Sequence, residues 1–484
     1  MGSTSFPGEQ ILRHPDHVKT GVYLSSHHEK LVIIDQSWAF LGGVDLCYGR
    51  WDDYKHRLAD LGSVSINMNK SVRTTSTYNY HPKTLMRLAK STQELTVATL
   101  AKEDEMLLRS KIQVKSSDEE KANNECFEEN GVTTDYYADK STSTSGNDDS
   151  DGEKQKKNGK ARMMVKKIKT FRGGRKKIQK TDANENSFGV VGSAKYWMGK
   201  DYTNFILKDF SKLDEPYEDL IDRITTPRMP WHDVCAAVGG RVARDAARHF
   251  IERWNFVKTS KVKKNFTYPF LVPKSYVDLK ENIPSWITRH SAVDCQVIRS
   301  ASHWSAGVGT EDSIHQAYCS AIRDSKHYIY IENQFFVSLA TEDNDVFNKI
   351  SQTLLERILR AHREGCRFRV YVVMPLLPGF EGEIKQNRGT ALLAVCHWNY
   401  SSICRGPKSL MGKLREANID PSEYITFYGL RNHSNLNGQL VTELIYVHSK
   451  LMIVDDNTVI CGSANINDRS LIGKRDSEIA VIFQ

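Results

Sequence analysis

From residue 298 onward the apolar positions follow a strand–helix–strand rhythm. KHYIYIENQFF and FRVYVVMPLL are β-branched and aromatic runs, the pattern of strands buried on both faces. Between them VFNKISQTLLERILRAHREG has apolar residues at three- and four-residue spacing and ends at a glycine, which predicts a helix. YITFYGL and VHSKLMIVDD predict two more strands, and SEIAVIFQ closes the sequence in a strand-like run. Upstream, Ala243, Ala246, Ala247, Phe250 and Trp254 share one face of a helix predicted over 231–258, with Arg241, Arg244 and Arg248 on its polar side. This alternation predicts an α/β fold, an α-β-α sandwich with mixed sheets.

The periodicity fails over 67–187, where Ser, Thr, Asn, Lys and Glu dominate. Such a stretch buries too little surface to offset ordering entropy, so it reads as a disordered insertion with one short helix near 83–110. It also holds the charge: residues 154–180 carry thirteen Lys or Arg and no acid, so the net charge of +8 leaves the remainder near −5. A mildly acidic globular part argues against a nucleic-acid platform. The basic run itself suits an anionic membrane, a solvated linker or nucleic acid, in that order. No run approaches the 18 apolar residues of a membrane span, and the start lacks a signal-peptide core. Nine scattered cysteines without a Cys-x-x-Cys pair suggest reduced thiols facing the cytosol.

One phrase occurs twice. His28, Lys30, Asp35, Gly42 and Asp45 lie at the same offsets as His448, Lys450, Asp455, Gly462 and Asn465. In a strand, positions i and i+2 share a face, so each His-Lys pair can meet one ligand. The Asp at +7 has the opposite parity, which makes Asp35 and Asp455 supports for the following turn. Gly42-Gly43 and Gly462-Ser463 suit backbone that approaches a ligand closely. Of Asp45 and Asn465, only Asn465 donates a hydrogen bond to an oxyanion at neutral pH. Two facing His-Lys pairs suit a phosphodiester: one imidazole attacks phosphorus and the other protonates the leaving oxygen. Lysines and Asn465 would stabilise the non-bridging oxygens, with no metal in the chemistry.

These phrases resemble the HKD motifs of the phospholipase D superfamily. HHEKLVIIDQSWAFLGGVDLCYGRWDD, TPRMPWHDV, ARHFIERWNF, YIYIENQFF, PLLPGFEG and LVTELIYVHSKLMIVDDNTVICGSANINDRSLIGKRDSEIAV look like the catalytic region of eukaryotic phosphatidylcholine-specific phospholipase D of the PX-PH type. The likeness covers 11–66 and 188–484. It implies two duplicated half-domains packed as one bilobed unit: 1–66 as a first half, 188–290 as its remainder with connecting helices, and 291–484 as the second. Only 27 residues precede the first phrase, against some 150 in the second half, so the first half is expected to be incomplete and the chain a fragment without PX and PH domains.

The resemblance implies hydrolysis of phosphatidylcholine to phosphatidic acid and choline through a phosphohistidine, and transfer to primary alcohols. It assigns attack to the first motif, and Asp60 and Glu478 as carboxylates orienting the two imidazoles. It places phosphoinositide contacts at Arg244 and Arg248, with phosphatidylinositol 4,5-bisphosphate as activator and no other cofactor. Small GTPases and protein kinase C are implied partners, and the implied location is cytoplasmic, peripheral on endomembranes or the plasma membrane. Trp304 and the aromatics of Gln334-Phe335-Phe336 are expected near the cleft, with Phe335 as core. The alternatives are a nucleic-acid phosphodiesterase of the same superfamily and a non-catalytic membrane-binding fragment.

Overall fold

A computed structural model describes residues 10–12, 25–62, 64–66, 190–192, 194–277, 279, 283–285, 287–379 and 390–484. The basic run at 154–180 and the helix expected near 83–110 lie outside these residues. In chain order the strands are β1 (Leu31–Ile34), β2 (Trp38–Gly42), β3 (Val64–Ile66), β4 (Val190–Gly192), β5 (Trp231–His232), β6 (Cys235–Gly239), β7 (Cys295–Ala301) and β8 (Glu311–Asp312). They continue with β9 (Tyr328–Glu332), β10 (Arg369–Val373), β11 (Ile425–Tyr428), β12 (Leu430–Leu436), β13 (Gln439–Val447), β14 (Leu451–Val454), β15 (Thr458–Gly462) and β16 (Glu478–Phe483). Three helices matter most: α1 (Arg241–Lys261), α2 (Ser313–Asp324) and α3 (Ile350–Arg363).

The fold is mixed α/β. An eight-stranded sheet runs β11-β10-β9-β14-β15-β16-β7-β8, parallel on its β9–β11 side and antiparallel elsewhere. Helices α2 and α3 cover one face, where Ile314, Tyr318, Ile322, Leu354 and Ile358 pack on Ile329, Ile331, Val370 and Met452. The other face carries Leu451, Cys461 and Val481, packed against Leu41 of the small sheet β1-β2-β6 and Val242 of α1. Ala39, Ala243, Ala246 and Ile479 continue that seam. β3 and β4 pair antiparallel, which brings residues 66 and 190 together at the two ends of the 67–189 stretch.

The repeated phrase folds the same way twice. β1–β2 and β14–β15 are hairpins in register Ile34↔Trp38 and Val454↔Thr458. Each turns through two left-handed residues, Asp35-Gln36 (φ 52° and 54°) and Asp455-Asp456 (φ 53° and 55°). Backbone bonds from Ser37 to Ile34 (2.9 Å) and from Asn457 to Val454 (3.0 Å) close both turns. Two left-handed residues match the right-handed twist of a hairpin, and Asp tolerates that region better than most residues.

The copies differ on their outer side. β14 pairs with β9, and Met452 and Val454 are 0% and 5% exposed. β1 pairs only with β2 among the described residues, and the equivalent Val32 and Ile34 are 40% and 46% exposed. Asp455 follows this difference. Its carboxylate accepts backbone N–H bonds from Lys326 (2.6 Å), His327 (2.8 Å) and Tyr328 (2.8 Å), just ahead of β9.

The expected helix over 231–258 needs correction. Its first third is strand β5, a turn and strand β6, because Cys235–Gly239 pairs with β2 from Gly42↔Cys235 to Trp38↔Gly239. Gly240 breaks the chain at φ 75° and α1 begins after it. Ala243, Ala246 and Ala247 are buried as expected, but Phe250 is 41% exposed and Arg244 only 3%. Phe336, rather than half-buried Phe335, supplies the core aromatic.

The two turn aspartates therefore differ in weight. Asp455→Asn exchanges one acceptor oxygen for a donor facing N–H groups, and a loss of about 1–3 kcal/mol is expected. Asp35→Asn should stay within about 0.5 kcal/mol, the range of a surface change. Burial pushes the Asp455 pKa up, but the three N–H bonds outweigh it and the net shift is downward. The extra stability is thus full above the ordinary value and lost as pH falls through the lowered one. Urea unfolding of both variants at pH 7 and pH 3 measures the contrast. Equal losses at pH 7 would refute it.

Candidate active site

Strand geometry builds the site from both halves. The segment before β1 forms a parallel bridge, His27↔Ser477, and the His28 N–H donates to the Ser477 carbonyl (3.1 Å). In the second half Val447 pairs in parallel with His232, and the His448 N–H donates to the His232 carbonyl (2.8 Å). Each histidine thus runs beside the strand entrance that belongs to the other half.

The carboxylates follow from this crossing. His28 Nδ1 lies 2.9 Å from Glu478, whose side chain is fully buried and also accepts from Ser463 Oγ and Ser470 Oγ (2.6 Å each). His448 Nδ1 lies 2.9 Å from Asp233, which also accepts from Trp231 Nε1 (3.2 Å) and the Val234 N–H (2.9 Å). Asp233 and Glu478 are equivalent residues: each precedes by two the partner of the hairpin glycine, in Gly42↔Cys235 and Gly462↔Ala480. A carboxylate on Nδ1 fixes the proton there and leaves Nε2 as the ring's reactive nitrogen.

Two expected residues therefore need correction or completion, and a third was missed. Glu478 orients His28, not the histidine of its own half. Asp60 orients neither imidazole: its carboxylate accepts the N–H groups of Lys195 (3.2 Å), Tyr196 (2.9 Å) and Trp197 (3.0 Å), and Arg223 stands 3.9 Å away. The residue that sequence reasoning missed is Asp233, within the WHDV stretch.

Lys30 and Lys450 sit behind the imidazoles. Lys30 Nζ donates to the His28 carbonyl (2.5 Å) and pairs with Asp45 at 3.3 Å. Lys450 is buried, donates to the His448 carbonyl and lies 3.3 Å from Gln334 Oε1. Asn465 is 5% exposed and its Oδ1 has no protein partner. Asp45 pairs with Lys30 and with Arg50 at 3.8 Å, so the two matched positions play different parts. Gly43 stands where a Cβ would strike the Asp233 carboxylate, and no other residue fits there. Trp231 flanks His448 with ring centroids 4.8 Å apart, whereas Trp304 packs on His27 at 4.9 Å. Asp35 and Asp455 lie in the hairpin turns, as the parity argument expects.

Burial governs the electrostatics. Desolvation and the neighbouring Lys450 charge lower the His448 pKa to about 4, against the pull of Asp233. Desolvation lowers Lys450 to about 7, with Lys30 adding repulsion and Asp233 and Glu478 opposing it. Asp233 is held below the usual carboxylate range, because His448 and Lys450 outweigh its burial. Among the described residues no group of three or more His, Cys, Asp or Glu side chains is arranged to hold a metal ion.

Arg244 and Arg248 lie on α1 rather than at this centre. Arg244 is buried with Nε and Nη1 unpartnered, and Arg248 stacks on Tyr276 at 3.9 Å and donates to the Lys274 carbonyl (3.1 Å).

In this α/β unit the two His-Lys pairs are each completed by a carboxylate from the opposite half, an arrangement suited to one imidazole attacking and the other donating a proton. Comparison with known proteins narrows the class. The Phospholipase D family profile matches residues 65–484. The chain is 46% identical to Phospholipase D1 of Cricetulus griseus over 500 residues, covering 99% of this chain and 44% of that one. It is 45% identical to the Homo sapiens Phospholipase D1 (99% and 46% covered) and 39% identical to Phospholipase D2 of Bos taurus (99% and 39%). The chain belongs to the phospholipase D family, and it spans under half the length of these relatives.

The buried cations make stability depend on pH. Folded values of about 4 for His448 and about 7 for Lys450 lie below the ordinary 6.5 and 10.5. The unfolded chain therefore binds more protons in both windows, and stability rises with pH through each. The His448 contribution is full above 6.5 and lost as pH falls towards 4; the penalty on charged Lys450 is full below 7 and relieved towards 10.5. His448→Gln should flatten the first window and Lys450→Met the second, read as unfolding free energy against pH. Slopes unchanged by both substitutions would rule out these two buried cations as the source.

Proposed function

We propose that this chain carries the catalytic centre of a phospholipase D that hydrolyses phosphatidylcholine to phosphatidic acid and choline and transfers phosphatidyl groups to primary alcohols. The observation that carries the reading is the crossed pairing of His28 with Glu478 and His448 with Asp233. Nε2 of His28 attacks phosphorus as the bond to the choline oxygen breaks, and that oxygen takes a proton from Nε2 of His448. Water then attacks the phosphatidyl-His28, gives its proton to His448, and the P–N bond breaks. Lys30, Lys450 and the Asn465 amide hold the non-bridging oxygens while charge builds. A neutral resting His448 must gain its proton for the first step; the diester's negative charge, set beside His448 and Lys450, raises both pKa values.

The relatives named above support a lipid substrate and, with it, work at a membrane surface. No described helix is long and apolar enough to cross a membrane. The segment after α1 exposes Phe266 (96%), Phe270 (58%) and Val272 (75%) beside Lys263 and Lys264, a composition suited to an anionic interface. The reading includes activation by phosphatidylinositol 4,5-bisphosphate through Arg244 and Arg248, supported by the unpartnered Arg244 nitrogens. It also includes control by small GTPases and protein kinase C and a cytoplasmic, membrane-peripheral location, which rest on resemblance.

The test separates the two imidazoles. With phosphatidylcholine, His28→Asn and His448→Asn should each lose nearly all turnover. With a lipid ester of a phenol, which needs little acid help, His448→Asn should still form a covalent phosphatidyl-enzyme and His28→Asn none. Mass spectrometry of quenched protein reads the adduct. An adduct on His448 in His28→Asn, or none on His28 in His448→Asn, reverses the roles.

A further inference from the structure

Beside each His-x-Lys segment lies a carboxylate–histidine pair that the chemistry above does not use. In the second half it is Glu332 with His232, 2.9 Å apart. Glu332 stands on β9 opposite Leu451, so β14 is held by a neighbouring strand as well. In the first half the carboxylate is in the motif itself, at Glu29 between His28 and Lys30, where the second copy has Ser449. Strand alternation turns Glu29 away from the site, towards α1.

The Glu29 side chain is 1% exposed, with Oε2 at 3.1 Å from Nε2 of His249 and accepting a hydrogen bond from Arg253. His249 is itself held: Arg299 donates to its Nδ1 (3.2 Å), which leaves the ring proton on Nε2, within ion-pair distance of Glu29 though not aligned as a hydrogen bond. Arg299 is fixed in turn by Glu252 (2.6 Å) and Glu311 (2.7 Å), and its strand position pairs with Ile479, next to Glu478. Burial pushes the Glu29 pKa up, but His249 and Arg253 outweigh it and keep the carboxylate charged. The chain of contacts therefore runs from β7 through α1 to the residue between His28 and Lys30.

We propose that Glu29 is a positioning residue for His28, clamping the His28–Lys30 segment to His249 and Arg253 of α1. The need follows from position: Glu29 lies between the two residues whose side chains enter the site. On one side the Asp476 carboxylate accepts the Ser26 N–H and the Ser477 carbonyl accepts the His28 N–H, and on the other the Glu29 side chain ties the segment to α1. Without that tie the imidazole is aimed from one side alone, and small misplacements of a nucleophile are expensive in rate.

The inference rests on the proposed attack by His28, and the experiment separates the two. Glu29→Gln keeps the shape and removes the charge. With dihexanoylphosphatidylcholine, kcat should fall about ten- to a hundredfold, with KM within about twofold. His249→Gln should do the same, and the double substitution should cost little more than either alone, since one clamp is being broken. In 15N-histidine spectra, assigned with His28→Asn, the His28 ring should move from an Nδ1-protonated signature towards a mixture of tautomers. Wild-type kcat in Glu29→Gln with an unmoved His28 resonance overturns the inference, as do losses that multiply in the double variant. If Glu29→Gln does not fold, Arg253→Met carries the same test. A wild-type chain without turnover would sink the proposed chemistry instead, while the His28 resonance still judges Glu29.

Discussion

The site depends on an exchange: each imidazole is held by a carboxylate from the other half. Neither His28 with Lys30 nor His448 with Lys450 is oriented until the halves have packed, because Glu478 and Asp233 arrive across the seam. The parallel contacts His27↔Ser477 and Val447↔His232 set that seam at the backbone level. Both carboxylates are almost wholly buried, and each keeps other donors, so removing its imidazole partner takes one hydrogen bond from a buried charge, a loss of about 1.5–3 kcal/mol. The same contacts therefore join the halves and aim the reactive nitrogens.

Close approach is the second constraint. Gly42 and Gly462 lie where a Cβ would strike the backbone of the next strand, at Val234–Cys235 and Ile479–Ala480. That proximity brings the following carboxylate within reach of the opposite histidine. The two halves then diverge by one residue. Ser463 donates to Glu478, whereas Gly43 makes room for Asp233, whose donors are Trp231 and a backbone amide. One spacing written twice thus produces two sites of unequal polarity.

Much of this was legible in the sequence, and the failures have physical causes. Offsets exposed His28, Lys30, His448, Lys450 and Asn465, and parity placed Asp35 and Asp455 in turns. Resemblance supplies Glu478 as an orienting carboxylate, but its counterpart Asp233 escapes because their equivalence is one of strand register. Glu478 follows Gly462 by 16 residues, while Asp233 follows Gly42 by 191, with the 67–187 stretch between. Asp60 stood at a distance from its histidine like that of Glu478, yet it caps a loop outside any sheet. A usable signal existed in HDVCAAV beside SEIAVIF, an acid followed by a β-branched residue and small apolar ones. The helix predicted over 231–258 from Ala243, Ala246 and Ala247 extends back across HDVCAAV, which pairs with β2 instead.

Burial governs the charge of the two basic groups at this centre. Lys450 and His448 are both pushed towards neutrality by burial, and Lys30 adds to the repulsion on Lys450. Asp233, Glu478 and Asp45 offset part of this, but the first two are committed to imidazoles and the third to Lys30 and Arg50. A phosphodiester monoanion meeting both lysines would supply the missing counter-charge and draw protons onto Lys450 and His448 as it binds. Binding would then create the acid that the first step consumes. A neutral ester of the same shape would leave His448 unprotonated.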